Sequence, residues 1–151
     1  MNQLIFSFIL FSLSSLALAG VNENPAIDLT LSFQQSGGTN GVAVAYNPHQ
    51  KLYYAAIAGN PNFPLEVFDE AGNPLWQGTT GQDIRSLWFN KKEKRLEFVA
   101  YGGGLYYYPL DDNGYPSNGT ELWSGLTPPG DQSVGTFDGK FYSFFLEGKI
   151  H

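Results

Sequence analysis

The chain has 151 residues, of which 16% are aromatic, with 18 glycines, 9 prolines, no cysteine and a formal net charge of -6. The lack of cysteine excludes disulfides and thiol chemistry. The acidic balance argues against nucleic acid or an anionic membrane surface as a partner, because such partners require clustered Lys and Arg.

The N-terminal residues predict a signal peptide. Residues 1–19 contain no charged side chain, carry an apolar run from Leu4 to Leu18, and end in Ala17-Leu18-Ala19, the small-x-small pattern of a cleavage site. The n-region lacks Lys and Arg, which leaves a retained membrane anchor as the alternative, but about 15 apolar residues are short for a span of roughly 20. We therefore expect a mature domain over 20–151, secreted to the extracellular space or periplasm, with no membrane contact after cleavage.

The mature chain predicts strands throughout, because short apolar runs alternate with Gly, Pro and Asn punctuation and no stretch keeps a helical period. An orphan outer strand is expected at about 27–34. Two complete four-stranded units follow, and a third unit begins at 133 and is incomplete at 151. The predicted strands are 41–46, 51–58, 65–68 and 74–77 in the unit over 41–78, and 84–89, 95–101, 105–110 and 120–123 in the unit over 84–125.

The units repeat one another. Equivalent landmarks recur in the same order: Tyr46-Asn47 with Phe89-Asn90 and Phe137-Asp138, the turn 69–72 with the turn 111–114, and Leu75-Trp76 with Leu122-Trp123. Tyr46 lies 43 residues before Phe89, which lies 48 residues before Phe137. These steps are close to the 40 to 50 residues of one propeller blade.

An aromatic strand, an Asp-x-x-Gly turn and a Leu-Trp strand that recur in this way resemble secreted β-propeller repeats of the NHL or quinoprotein-like kind. The resemblance covers about residues 27–151. It implies an all-β fold of propeller-like four-stranded blades. It implies no activity and no cofactor, since propellers host many unrelated functions.

About two and a half blades cannot close a ring, because closed propellers contain four to eight. The sequence leaves three arrangements open. The chain is a fragment of a longer propeller, or it is a homo-oligomer in which the orphan strand of one copy completes the third unit of another. The third arrangement is a small open sheet or sandwich domain.

Candidate ligand-binding residues lie in the loops that enter the innermost strands. The positions six residues before Tyr46, Phe89 and Phe137 are polar, and two polar neighbours accompany them. The resulting set is Asn40, Asp83, Arg85, Asp131 and Gln132. Such convergent polar groups suit a glycan or protein ligand, whereas the competing interpretation is that the Asp and Asn side chains cap turns.

The other acids and aromatics predict structure rather than chemistry. Asp69, Glu70, Asp111 and Asp112 lie beside glycines but lack the spaced acids of a calcium loop, which favours hairpin turns. At least one aromatic residue in each of 53–54, 106–108 and Trp88 should belong to the core. We predict no metal site and no catalytic residue.

The sequence therefore favours a secreted, non-enzymatic module that binds a glycan or a protein. The alternative is a fragment of a larger secreted propeller enzyme, a hydrolase or lyase, whose remaining catalytic groups lie on other blades.

Overall fold

A computed structural model describes residues 28–38, 40–125, 134–146 and 149–151. These residues form three antiparallel sheets and contain no helix, which confirms the predicted all-β class. Consequently none of this part of the chain forms a helix long and apolar enough to cross a membrane. The predicted signal peptide, residues 1–19, lies outside the described residues.

The first two sheets each contain four strands that pair in chain order. Sheet 1 comprises β1 (Val42–Asn47), β2 (Leu52–Ile57), β3 (Pro64–Phe68) and β4 (Pro74–Thr79). Sheet 2 comprises β5 (Ile84–Asn90), β6 (Arg95–Ala100), β7 (Leu105–Tyr108) and β8 (Thr120–Trp123). All eight strands begin and end within two residues of their predicted bounds, so the repeat is confirmed in the two complete units.

Sheet 3 has three described strands in the order β11, β10, β9. They are β9 (Gly135–Phe137), β10 (Tyr142–Leu146) and β11 (Lys149–Ile150). The predicted incomplete third unit is therefore a sheet of its own. It lacks a fourth strand among the described residues.

The first turn of every unit is built in the same way. The side-chain oxygen of Asn47 accepts hydrogen bonds from the backbone amides of residues 49 and 50, Asn90 does so from residues 92 and 93, and Asp138 from residues 140 and 141. Short polar side chains of this kind favour turns because they replace backbone partners. The aligned pairs Tyr46-Asn47, Phe89-Asn90 and Phe137-Asp138 thus end equivalent strands.

Asp69 and Asp111, two of the acids considered as calcium ligands, stabilise turns. Asp69 Oδ1 accepts the backbone amides of Ala71 and Asn73 at 2.9 and 2.8 Å. Asp111 Oδ1 accepts those of Asn113 and Tyr115 at 2.9 and 2.8 Å. Both carboxylates thus satisfy backbone donors inside their own hairpins, and among the described residues no group of three or more His, Cys, Asp or Glu is placed to hold a metal ion.

The sheets pack face to face in chain order. We call the face of a sheet that meets the next sheet its forward face, and the opposite one its rear face. Across the first junction the forward face of sheet 1 packs on the rear face of sheet 2, forming a core of Ala45, Leu52, Tyr54, Ala56, Leu65, Val67, Ile84, Leu87, Leu96, Phe98, Ala100 and Tyr108. Across the second junction Trp88, Val99 and Leu105 pack on Phe137, Tyr142 and Phe144. Tyr54, Tyr108 and Trp88 are buried, as the alternation of aromatic residues predicted.

In place of the expected orphan strand, residues 28–38 form an irregular segment on the rear face of sheet 1. The fully buried carboxylate of Glu66 accepts the backbone amides of Gln34 and Gln35 at 2.9 to 3.0 Å. The Phe33 ring meets Phe68 edge to face at 6.3 Å. A single side chain thus supplies hydrogen bonds that a neighbouring strand would otherwise provide.

Candidate functional site

The structure brings together three of the five predicted ligand-binding residues. Asn40 and Asp83 precede β1 and β5, and Arg85 is the second residue of β5. Because the strands are antiparallel, β2 and β6 end at this same edge, so residues that follow those strands join the site. Asp131 and Gln132 lie outside the described residues.

Both carboxylate oxygens of Asp83 have a partner within the protein. Its Oδ1 accepts the backbone amide of Gly59 at 2.7 Å, and its Oδ2 lies 2.8 Å from Nη2 of Arg85. The backbone carbonyl of Asp83 also accepts the amide of Tyr101 at 2.7 Å. One carboxylate oxygen therefore ties the end of β2 to the start of β5, which differs from the cap on its own turn that the competing interpretation expected.

Arg85 is held in one orientation by two different contacts. Its side chain is 15% exposed and is paired with Asp83, whose side chain is 19% exposed. Its guanidinium carbon lies 4.7 Å from the centre of the Tyr101 ring, within the range of a cation–π interaction. The buried Nε of Arg85 has no hydrogen-bond partner among the described residues. A guanidinium fixed in this way has little side-chain freedom left to lose when its exposed part forms a further contact.

Asn40 belongs to the same site because it lies against Gly59, whose amide donates to Asp83. Gly59 has a φ of +109°, and a Cβ at this position would collide with the side-chain amide of Asn40. Asn40 is exposed, so its amide lies beside the Gly59–Asp83 hydrogen bond with one side open to solvent. Glycine is favoured here because a residue with a Cβ rarely adopts this φ and would have to displace the Asn40 side chain.

Sequence reasoning missed Tyr101. The sequence pattern places it at the end of a strand, whereas it follows β6 with 46% of its surface exposed. An aromatic residue directly before Gly102, Gly103 and Gly104 was the available signal, because a turn at that point places the ring at the sheet edge rather than in the core. The site therefore consists of Asn40, Asp83, Arg85 and Tyr101.

The same chain contains a second pair of this chemistry away from the site. Arg95 lies 4.4 Å over the ring of Tyr107 and forms an ion pair with Glu97 at 2.8 Å. There, however, the Nε of Arg95 donates to Glu97 at 2.8 Å. The Arg95 guanidinium is therefore committed to a buried partner, which distinguishes it from Arg85.

The fold and site define a class, an all-β repeat protein with a polar edge site, and comparison with known proteins adds no family. No family model matches the chain, and no curated protein and no solved structure shows significant similarity to it.

Proposed function

We propose that this chain is a secreted, non-enzymatic binding module built from propeller-like blades, and that its ligand is a neutral glycan. The observation that carries the proposal is the arrangement of Arg85, whose partly exposed guanidinium is oriented by Asp83 and by the half-exposed ring of Tyr101. Binding sites typically combine an aromatic surface with a few oriented polar groups in this way.

The propeller-like interpretation is supported by the order of the sheets. Each complete sheet is a four-stranded meander, and its first strand lies next to the first strand of the following sheet, with β5 contacting both β1 and β9. Blades of a propeller are four-stranded sheets arranged around an axis in this manner. The site lies at the loop edge beside these first strands.

A glycan suits the chemistry of the site better than a charged polymer. The exposed part of the Tyr101 ring offers an apolar surface for the C–H face of a sugar, while Arg85 and Asn40 offer N–H donors to its hydroxyl groups. The formal net charge of -6 disfavours a polyanionic ligand.

Asp83 gives no support to the alternative of a hydrolase or lyase fragment. A general acid or nucleophile needs a carboxylate oxygen directed at its substrate. Both oxygens of Asp83 are instead engaged, one by the Gly59 amide and one by Arg85.

The proposal is tested by binding of neutral oligosaccharides to the purified mature chain on a glycan array, followed by calorimetric titration of the best ligand. We expect Arg85→Ala and Tyr101→Ala to weaken binding at least tenfold. Tyr107→Ala is the matched control, because it removes the ring beneath Arg95 and leaves the site intact. The proposal fails if Arg85→Ala and Tyr107→Ala bind alike, or if the chain converts its ligand and Asp83→Asn abolishes that conversion.

A further inference from the structure

Two sheet faces at opposite ends of the described structure are apolar and uncovered. On the rear face of sheet 1, Val42 and Val44 are 54% and 51% exposed, with Tyr46 beside them. On the forward face of sheet 3, Phe145 and Ile150 are 50% and 80% exposed. An apolar patch of this kind on a sheet face marks a surface that another element covers.

The positions of these residues in the repeat indicate what covers them. Val44 is equivalent to Leu87 in sheet 2, which is only 8% exposed because the forward face of sheet 1 covers it. Phe145 is equivalent to Val99, which is 1% exposed because the rear face of sheet 3 covers it. Among the described residues, no forward face covers the rear face of sheet 1 over β1, and no rear face covers the forward face of sheet 3.

The segment 28–38 completes this complementarity. It covers the rear face of sheet 1 over β3, where Glu66 holds it, but leaves the face exposed over β1. The segment also contacts Phe68, through the ring of Phe33. In sheet 2 the equivalent of Phe68 is Tyr108, whose hydroxyl donates to the carbonyl of Thr80, just after β4. Segment 28–38 therefore occupies the place of a fourth strand belonging to a preceding sheet, and sheet 3 has only three described strands.

We infer that the forward face of sheet 3 in one copy of this chain packs on the rear face of sheet 1 in a second copy, beside the segment 28–38 of that second copy. The contact repeats between copies the junction that occurs twice within the chain. It is heterologous, since it joins two different surfaces, and two such contacts related by a two-fold axis close a dimer of six sheets. Neither face includes Arg85 or Tyr101, so this inference stands or falls separately from the glycan site.

The test is the solution mass of the mature chain by light scattering, with Val44→Glu altering one face and Phe145→Glu the other. We expect the unaltered chain to have twice the mass of one copy and each variant to have the mass of one copy. A mixture of the two variants should recover dimers, because one intact rear face and one intact forward face remain available. Both side chains are half exposed, so circular dichroism of either variant should show the unaltered sheet content.

Asn62→Glu, which adds the same charge at an exposed turn between β2 and β3, is the control and should remain dimeric. A soluble unaltered chain that stays monomeric at high concentration overturns the inference. So does a dimer that persists in both variants, or one that Val44→Glu disrupts and the mixture does not restore, since the last result indicates a contact between two identical faces.

Discussion

The hydroxyl of Tyr142 in sheet 3 donates to the carboxylate of Glu97 in sheet 2 at 3.0 Å, across the junction between the two sheets. Glu97 is fully buried and also accepts from Nε1 of Trp88 at 3.0 Å and from Nδ2 of Asn90 at 2.9 Å. Arg95 forms an ion pair with the same carboxylate at 2.8 Å. One carboxylate thus organises both the sheet it belongs to and the docking of the next.

Glu97→Ala should lower the free energy of unfolding by about 3–5 kcal/mol, because it leaves a partly buried cation and several buried donors without an acceptor. Tyr142→Phe removes only one hydrogen bond and should cost about 1–2 kcal/mol. Urea denaturation followed by tryptophan fluorescence measures both. Glu121→Ala, at an exposed glutamate in β8, is the control, and a similar effect of Glu97→Ala and Glu121→Ala would contradict this account.

The strands were predictable because their signals are local. Alternating apolar residues, the Asn47, Asn90 and Asp138 turns, and the Asp69 and Asp111 turns are each decided within a few residues, so the sequence pattern and the structure agree there. The features that the sequence did not predict depend on contacts between residues that are far apart in the chain.

The buried roles of Glu66 and Glu97 depend on partners that are distant in sequence. Glu66 binds residues 32 positions earlier, and Glu97 binds Tyr142, 45 positions later. No local pattern distinguishes such a glutamate from one on an exposed strand face. Residues 27–34 are predicted as a strand for the same reason, since the backbone amides of Gln34 and Gln35 are satisfied by a side chain rather than by a paired strand.

Three of the four residues of the candidate site were predictable in the same sense. Asn40, Asp83 and Arg85 followed from their place before repeated strands, because equivalent loops meet at one edge of a stacked set of sheets. Tyr101 comes from the end of the paired strand, and only the register of β5 with β6 places it beside Arg85.

Gly72→Ala should loosen the segment 28–38 from sheet 1. Gly72 has a φ of +82°, and a Cβ there would lie 2.8 Å from the backbone carbonyl oxygen of Thr30. We expect faster hydrogen exchange at the amides of Gln34 and Gln35, measured by mass spectrometry. Gly81→Ala is the matched control, since Gly81 has a φ of +66° with no atom near its Cβ position. Both changes carry backbone strain of about 1–2 kcal/mol, so equal exchange at Gln34 in the two variants would show that Thr30 does not contact the turn.

Asp69 should contribute to the loss of stability in acid. The side-chain amide of Asn73, which donates to Oδ2 at 2.8 Å, lowers the pKa of Asp69, and the backbone amides of Asn73 and Ala71 lower it further. Because the pKa is lower in the folded state, the unfolded state binds the proton first, so this stabilisation is present above about pH 4 and is lost as the pH falls through the lower folded pKa.

Asp69→Asn keeps an oxygen for the two backbone amides but does not titrate. We therefore expect the difference in melting temperature between pH 7 and pH 3 to be smaller in Asp69→Asn than in the unaltered chain. Asp112→Asn, at the exposed acid next to Asp111, serves as the control for the change in net charge. If Asp69→Asn is as sensitive to acid as the unaltered chain, Asp69 does not contribute to the loss of stability at low pH.

Tyr108 should make the protein sensitive to alkali. Its ring is 2% exposed, and burial raises the pKa of its hydroxyl above the ordinary value. The unfolded state therefore loses this proton first, so the stabilisation is complete below about pH 10 and declines as the pH rises above it.

Tyr108→Phe removes the hydrogen bond to the Thr80 carbonyl and should cost about 1 kcal/mol near neutral pH. Above pH 10 the unaltered chain loses the contribution of its hydroxyl while the variant has none to lose, so the difference in unfolding free energy between them should shrink. Urea denaturation at a series of pH values from 7 to 11 measures this difference directly. Tyr101→Phe, at an exposed ring, controls for removal of a hydroxyl. A difference between Tyr108→Phe and the unaltered chain that stays constant across the series would mean that the buried hydroxyl does not couple folding to alkaline pH.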